Sequence, residues 1–432
     1  MNRYCLLILF ALCSSHVLSA QDKEVSPTSG ESYHLFVEGF DWGAAFSRVL
    51  VKTDKVQKSF QKDDFVIRAH SSTDCSQEKG GDLQGERHII FAYPSDENGK
   101  RVNSSEWVTL VMEVGPDLQI SKATKYYYND QCKGTVWIDY ALSITQKSTL
   151  RTWNREERRF HPELDKFDLS GSFSYGKGEK MRYASFTPQT DNKKSPLIIW
   201  LHGGGEGGYD PSIALMGNKA THYASDEIQH HFDGAYVLVP QCPGAWMDNE
   251  EGIVTMGKEE DVYHKPLLAL IKDFVDHHEG IDRKRIYLGG CSNGGYMTLK
   301  LMLQDPDYFA AGFVSSSAYF SKYISDEGVK SIKKKPIWFA HSKDDNTTKA
   351  DETAIPLYHR LKEAGAKNVY LSLFDHVIDI SGSYGGEAYH YNGHLSWIYV
   401  HENECRLDID GKPVKWKGKP TSMMPWLAAQ SN

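Results

Sequence analysis

The sequence predicts an α/β fold with a mostly parallel, doubly wound sheet, preceded by an all-β sandwich. Three observations predict it. Residues 30–150 hold short β-prone runs between turn-forming clusters. From Pro196 onward, nearly continuous apolar runs alternate with helical periods, and the 432 residues exceed what one hydrophobic core usually organises. We therefore expect two domains, at residues 21–165 and 166–432, after a leader of residues 1–20.

The leader reads MNRYCLLILFALCSSHVLSA. A basic Arg3 precedes an apolar run over residues 5–12, and small residues follow. This pattern is typical of a secretory signal peptide and is too short to span a bilayer. It predicts cleavage near Ser19 or Ala20 and export to the periplasm or the extracellular space. No later apolar stretch reaches the length of a membrane helix, so we expect no membrane span.

The composition limits the partners that we expect. A formal charge of −8 argues against a nucleic-acid partner, which needs a basic face. An oxidising compartment permits disulfides. A Cys75–Cys132 bridge fits the N-terminal half, with buried unpaired cysteines as the open alternative. No spacing of cysteines or histidines suggests a metal site, and we expect no cofactor.

The N-terminal domain is predicted from six short runs that favour β-strands. They are HLFVEGF (34–40), SRVLVKT (47–53), DFVIRAH (64–70), RHIIFAY (87–93), WVTLVMEVG (107–115) and GTVWIDYALS (134–143). Short strands separated by Gly, Pro, Asn and Asp clusters indicate a β-sandwich. Residues 151–170 are dense in charge and lack a clear period, so we interpret them as the connection between the domains.

The C-terminal domain is predicted from apolar runs that suit strands buried on both faces. They are PLIIWLHG, AYVLVPQ, RIYLGG, AAGFVSS, PIWFAHS and VYLSLFD. Between two of them, residues 262–280 carry apolar side chains at helical spacing and end at Gly280. Residues 173–188 indicate an antiparallel hairpin leading into this domain.

One glycine-rich turn carries the strongest chemical signal. GGCSNGG (289–295) follows the predicted strand RIYL and precedes a predicted helix, so that Gly290, Ser292 and Gly294 fit the G-x-S-x-G nucleophile elbow. A β-carbon at either glycine would clash across so tight a turn. The pattern predicts that Ser292 is a nucleophile whose hydroxyl stands above the sheet at a helix N-terminus.

A serine nucleophile needs a base and an orienting acid. In this type of fold they follow in the order acid, then histidine. HSKDDN ends a predicted strand, and YHYNGHLSW lies further along. The simplest triad is Ser292, Asp345 and His394. From the residues alone, Asp344 and His390 remain open alternatives.

A second glycine-rich loop, WLHGGGEGG (200–208), follows the first buried strand. We expect the N–H of Gly204 or Gly205, together with that of Asn293, to form an oxyanion hole. The alternative is a phosphate-binding loop. Against it, the loop lacks the lysine of GxxxxGK[ST], and no G-x-G-x-x-G with a downstream ribose acid is present.

Five segments together resemble the α/β-hydrolase superfamily. They are LIIWLHGGGEGGYD, AYVLVPQCPGAWMD, GGCSNGG, AHSKDDN and NGHLSWIYV. More narrowly, they resemble secreted bacterial esterases of the prolyl-oligopeptidase-related and poly(3-hydroxybutyrate)-depolymerase-like group, whose members are often labelled predicted peptidases. HLFVEGFDWGAAFSRVLVKTD is similar to the immunoglobulin-like domain that precedes some of these esterases. The resemblance implies that Ser292, His394 and Asp345 are nucleophile, base and acid. It places Trp246 among the pocket residues, with a packing role as the alternative.

The resemblance implies a serine carboxylesterase that works through an acyl-enzyme. Its expected substrates are small-molecule or polysaccharide-linked esters, including acyl or phenolic esters of plant polysaccharides. A serine peptidase of the prolyl-oligopeptidase-related group shares the machinery and is the alternative. The small β domain, in place of a propeller, favours the esterase. An inactive glycan-binding or adhesion protein is the third reading.

Overall fold

The computed structural model describes residues 30–75, 82–129, 131–176, 178–190 and 194–432. The predicted signal peptide lies outside the described residues. Among the residues described, none of the helices combines the length and apolar character that crossing a membrane requires.

The N-terminal part is built on one eight-stranded sheet and one hairpin. The strands are β1 (Glu31–Phe40), β2 (Gly43–Gln57), β3 (Phe65–Ser72), β4 (Leu83–Arg87), β5 (Ile89–Ser95), β6 (Ser105–Met112), β7 (Thr124–Tyr128), β8 (Lys133–Trp137), β9 (Asp139–Gln146) and β10 (Thr152–Phe160). The sheet runs β4-β3-β9-β10-β1-β2-β6-β5, and β7 and β8 pair separately. Strands from both halves of the sheet, β3 and β9 as well as β2 and β6, contribute to one buried apolar cluster. The predicted β domain therefore has a buried apolar interior, which continues into the C-terminal part at residues such as Ala214 and Met216.

Strand β10 corrects one prediction. The charged segment that we interpreted as a connection contains a strand that pairs with β1 in parallel and with β9 in antiparallel orientation. Trp153 and Phe160 are buried at its two ends, while most of the charged residues between them face solvent. Because the interior of the strand presents mainly charged side chains, the segment carries no clear alternation of apolar residues.

The C-terminal part is built on a second eight-stranded sheet, in the order β11-β12-β14-β13-β15-β16-β17-β18. Its strands are β11 (Asp168–Tyr175), β12 (Glu179–Phe186), β13 (Ser195–Leu201), β14 (Tyr236–Gln241), β15 (Ile281–Cys291), β16 (Ala311–Ser315), β17 (Ile337–Ser342) and β18 (Val369–Phe374). Strands β13 to β18 pair in parallel, and β11–β12 forms the predicted antiparallel hairpin at the edge. The predicted α/β fold with a mostly parallel sheet is confirmed.

Helices alternate with these strands, and short strand pairs follow the sheet. The helices are α1 (Pro211–Met216), α2 (Asp226–Phe232), α3 (His264–His277), α4 (Asn293–Gln304), α5 (Asp326–Ile332), α6 (Ala354–Glu363), α7 (Trp397–His401) and α8 (Met423–Ala428). The short strands are β19 (Val377–Ile378), β20 (His390–Tyr391), β21 (Lys415–Trp416) and β22 (Lys419–Pro420). The parallel strands β13, β15, β16 and β17 all end at the same edge of the sheet. The loops that carry the predicted site residues therefore meet there.

The two parts are joined by polar contacts close to that edge. Lys219 forms ion pairs with Asp41 of the β domain and with Glu402, at 2.7 and 2.6 Å. The indole of Trp137 donates a hydrogen bond to Ser212 Oγ at 3.0 Å. The Trp137 contact fixes the β7–β8 hairpin against the C-terminal part, and the Asp41 ion pair fixes the turn between β1 and β2.

Candidate active site

Ser292 lies at a strained turn between β15 and α4. Its backbone has φ 54° and ψ −113°, a conformation that a residue with a side chain rarely adopts. A β-carbon placed on Gly294 would lie 2.0 Å from the Leu201 carbonyl oxygen, and one on Gly290 would lie 2.6 Å from the backbone of Gly294. The turn is as tight as the glycine pattern predicts, because only hydrogen fits at these two positions.

His394 and Asp345 form a hydrogen-bonded pair near Ser292. Asp345 follows β17, and His394 lies in a short 3₁₀ turn after β20. His394 Nδ1 lies 2.9 Å from Asp345 Oδ2. The Asp345 side chain is fully buried, whereas that of His394 is 14 % exposed. Because Nδ1 is bound to Asp345, Nε2 is the ring nitrogen with which His394 can accept a hydrogen bond from a hydroxyl group.

Asp345 is held by donors on both carboxylate oxygens. Oδ1 accepts the backbone N–H groups of Thr347 and Thr348 at 2.8 and 2.9 Å. Oδ2 accepts the Thr348 hydroxyl at 2.9 Å and lies 3.1 Å from His341 Nε2. Burial raises the pKa of this carboxyl, but the hydrogen bonds from His341 and His394 outweigh burial and hold the pKa well below its usual range. Asp345 is therefore an anion at neutral pH.

The two alternatives from the sequence lie in a separate cluster. Asp344 Oδ2 is 2.8 Å from His376 Nδ1, and Asp344 Oδ1 accepts a hydrogen bond from the Ser342 hydroxyl. The ring of His390 stacks on that of His376, with centroids 4.2 Å apart. The structure thus brings Asp345 to His394 and turns Asp344 and His390 towards His376.

The second glycine-rich loop lies beside the serine. Residues Gly204–Glu206 form a 3₁₀ turn, and a β-carbon on Gly203 would lie 3.7 Å from Ser292 Cβ. Gly204 packs against the Asn293 side chain, since a β-carbon there would lie 3.3 Å from Asn293 Nδ2. Asn293 is the first residue of α4, where a backbone N–H has no acceptor within the helix. Gly204 and Asn293, both predicted for the oxyanion hole, are therefore neighbours next to Ser292, whereas Gly205 packs on Tyr126 of the β domain.

These residues line one cleft of about 1120 Å³ between the two parts of the chain. Ser292, His394, Asn293 and the loop 203–207 are on one side. Trp246 is not among the lining residues. It is fully buried, and its indole donates to the His202 carbonyl at 3.1 Å. These observations favour the packing role of Trp246 over the predicted role in the substrate pocket.

The other side of the cleft comes from the β domain, which the sequence did not indicate. The ring of Tyr126 lies against Gly205, because a β-carbon there would be 3.2 Å from Tyr126 Cδ2. A β-carbon on Gly134 would lie 3.0 Å from the Gly205 carbonyl oxygen. A disulfide joins Cys75 to Cys132, which ends the turn between β7 and β8. The hairpin therefore packs directly on the glycine-rich loop.

Two further residues at the site were also missed by sequence reasoning. Thr348 contacts both members of the pair, with its hydroxyl 3.3 Å from His394 Nδ1. His341 lies beneath Asp345 and is fully buried. The available signal was weak: a threonine three residues after an aspartate fits a turn closed by the aspartate side chain.

Cys291, which precedes the serine, points away from the cleft. It is fully buried, and burial raises the pKa of its thiol well above the usual range. A buried neutral thiol is unreactive. Among the described residues, no group of three or more His, Cys, Asp or Glu side chains is arranged to hold a metal ion.

Comparison with known proteins agrees with this architecture. Residues 184–373 match the phospholipase/carboxylesterase family model, and residues 32–157 match the model of the esterase Ig-like N-terminal domain. A probable carboxylesterase of Arabidopsis thaliana, SOBER1-like, is 30% identical over 195 residues, which cover 40% of this chain and 69% of that protein. Feruloyl esterase B of Thermothelomyces thermophilus is 28% identical over 135 residues, covering 31% of this chain and 43% of that protein.

A solved structure extends the likeness over both domains. The crystal structure of a thermostable esterase superposes with a TM-score of 0.71 and 24% identity, covering 93% of this chain and all of that one. This likeness shows that the two domains occur together in one known fold.

The parallel sheet, the strained serine at the end of β15 and the loops at its edge define an α/β-hydrolase. Within that class the chain belongs to the phospholipase/carboxylesterase family, and its β domain is the Ig-like domain found in esterases. The protein is therefore a hydrolase of the esterase type.

Proposed function

We propose that the protein is a serine carboxylesterase with Ser292 as nucleophile, His394 as base and Asp345 as the orienting acid. The observation that carries the proposal is the convergence of two independent features on one cleft. Ser292 is held in a conformation that glycine alone adopts easily, and His394 is fixed by an anion with no exposure to solvent. Backbone strain of this kind persists only where the surrounding structure enforces it, which is typical of functional residues.

The reaction follows from these positions. Ser292 Oγ attacks the ester carbonyl while His394 Nε2 accepts its proton, and Asp345 stabilises the imidazolium. The N–H groups of Gly204 or Gly205 and of Asn293 stabilise the tetrahedral oxyanion. His394 returns the proton to the departing alcohol, which leaves an acyl-enzyme. Water then attacks that acyl group by the same steps, releasing the acid and restoring Ser292.

The substrate class and the location complete the proposal. We expect an exported enzyme, since residues 1–20 carry the pattern of a signal peptide, with a boundary between the domains near residue 165. A relative that is named as a feruloyl esterase supports esters of plant polysaccharides as substrates. The open cleft, which lies between two domains and not under a propeller, suits an ester attached to a larger molecule.

Labelling and turnover together test the proposal. A fluorophosphonate probe should attach to Ser292, as read by peptide mass spectrometry, and p-nitrophenyl acetate should be hydrolysed. Ser292→Ala should abolish both while the melting temperature stays within a few degrees. Ser331→Ala, an exposed serine of α5, should behave as wild type.

Three outcomes would contradict the proposal. Labelling at another serine would place the nucleophile elsewhere. Hydrolysis of peptide anilides without ester hydrolysis would favour the serine peptidase. Failure of the probe to label the folded protein at all would favour an inactive binding protein.

A further inference from the structure

The wall of the cleft that faces Ser292 carries an unbalanced positive charge. Lys122, Lys125 and Lys133, all from the β domain, line the cleft. None of the three makes an ion pair within 4 Å among the residues that the structure describes. Lys125 and Lys133 are exposed, and Lys122 is half-buried. The charge of Asp117 acts on Lys122 without an ion pair within 4 Å, and three lysines on one wall still stand out in a chain whose formal charge is −8.

The acidic groups that line the same cleft do not offset these lysines. Among the described residues, the acidic side chains that line the cleft are those of Glu206 and Asp248. Asp248 contributes one negative charge against the three lysines, and its Oδ2 accepts the Ala245 N–H at 2.8 Å. Burial raises the pKa of Glu206 to about 7, so this group is partly protonated at neutral pH. The cleft therefore presents a net positive field to a bound molecule.

Two exposed aromatic rings lie on the same hairpin, on the face that carries Lys133, whereas Lys125 alternates to the other face of β7. Tyr126 and Tyr128 are two residues apart on β7 and share one face of it, and the two residues are 57% and 76% exposed. Tyr128 is directly opposite Lys133 in the strand register, so ring and ammonium are neighbours at the tip. Large exposed aromatic side chains in a cleft are typical of binding sites, because a flat apolar face combines with a polar edge.

We propose that this wall binds a sugar ring that carries a carboxylate, so that the enzyme prefers esters on uronic-acid units to esters on neutral sugars. The proposal rests on the proposed ester hydrolysis and names its substrate class. Tyr126 and Tyr128 offer flat faces for a pyranose ring, and Lys122 and Lys133 offer charge-assisted hydrogen bonds to its carboxylate. A neutral sugar would leave the ammonium groups of Lys122 and Lys133 without a bound anion. A lipid phosphate would satisfy the charge and leave the tyrosine faces without a ring.

A matched pair of substrates tests the preference. One is methyl galactopyranosiduronate carrying one acetyl ester, and the other is methyl galactopyranoside with the same ester, so that the two differ only in the carboxylate. The readout is the ratio of their kcat/KM values. We expect a ratio above one in the wild type. It should fall about tenfold in a Lys122→Gln/Lys133→Gln variant, since each partly exposed ion pair is worth up to about fivefold.

A second double variant controls for total charge. Lys330→Gln/Lys367→Gln removes two exposed lysines outside the cleft and should keep the wild-type ratio. High salt should lower the wild-type ratio, because it screens exposed charges. Hydrolysis of p-nitrophenyl acetate by the wild type separates the two proposals, since its absence would contradict the esterase itself.

Given active esterase, three results would overturn the uronate proposal. They are a wild-type ratio of one or less, a ratio that the Lys122→Gln/Lys133→Gln variant retains, and faster hydrolysis of phosphatidylglycerol vesicles than of either sugar ester. The last result would assign the lysines to a lipid phosphate.

Discussion

Replacing Asp345 with asparagine tests how His394 is made a base. Asp345 Oδ1 accepts two backbone N–H groups, those of Thr347 and Thr348. The amide oxygen of an asparagine takes that side, because turning the NH₂ there would lose two hydrogen bonds at about 1–3 kcal/mol each. On the Oδ2 side the donors have other acceptors, since the Thr348 hydroxyl also donates to Ser316 O and His341 Nε2 also lies 2.6 Å from Thr348 O. The NH₂ then faces His394 Nδ1, where Oδ2 lies 2.9 Å away in the wild type.

This reversal changes the tautomer of His394. With a donor opposite, Nδ1 must accept and the ring proton moves to Nε2, which can no longer accept a proton from Ser292. An asparagine in this position of a Ser-His-Asp triad lowers kcat by about 10⁴. We expect a loss of that size in Asp345→Asn, equivalent to about 5 kcal/mol of transition-state stabilisation.

The assay is steady-state hydrolysis of p-nitrophenyl acetate, with a thermal melt to show that the variant is folded. Asp344→Asn is the matched control, because the neighbouring carboxylate contacts His376 and Ser342 instead. It should retain activity within about threefold, as for a partly exposed ion pair. An Asp345→Asn enzyme within tenfold of wild type, or a greater loss from Asp344→Asn, would refute the reasoning.

Three further predictions concern the elbow, the loop and the choice of histidine. Gly294→Ala should destabilise the protein by about 3 kcal/mol or prevent folding, since its β-carbon would lie 2.0 Å from a backbone oxygen. Gly85→Ala is the control, because its β-carbon would have no atom within 4 Å, and it should change the free energy of unfolding by less than about 1 kcal/mol in a urea titration. Equal effects of the two substitutions would contradict the packing argument. The raised pKa of Glu206, about 7, lies above the unfolded value of about 4.3, so its contribution to stability is complete below pH 4.3 and is lost as pH rises through 7. The melting temperature of Glu206→Gln relative to wild type should therefore be higher at pH 8 than at pH 4, and a constant difference would count against a buried carboxyl. His390→Ala should keep most of the esterase activity that His394→Ala loses, and a comparable loss in both would reassign the base.

The choice between Asp344 and Asp345 shows what the sequence alone does not determine. Asp344 and Asp345 have the same chemistry and adjacent positions, and the residue pattern alone left both open. The backbone turn after β17 decides between them, because the N–H groups of Thr347 and Thr348 hold one carboxylate inward, towards His394. The other carboxylate is left at the surface with His376.

Strand β10 and the β7–β8 hairpin show two other limits. The first was misread as a connection, because its exposed charged residues hide the period by which a strand is recognised. Residues 134–143 were predicted as one strand, but the chain divides them between β8 and β9. Nothing local indicated that β8 would leave the sheet and pack on the loop at Gly205, since that contact joins residues about 70 positions apart.

The sequence by itself determined the α/β class, the elbow around Ser292 and the glycine-rich loop, because these depend on local properties: apolar period, strand-to-helix order and the absence of side chains at a tight turn. Only the tertiary structure decided which aspartate meets His394, that Trp246 packs away from the cleft, and that a hairpin of the Ig-like domain forms the opposite wall with its lysines and tyrosines. Those features depend on contacts between segments that are distant in sequence, and no single segment determines the energy of such contacts.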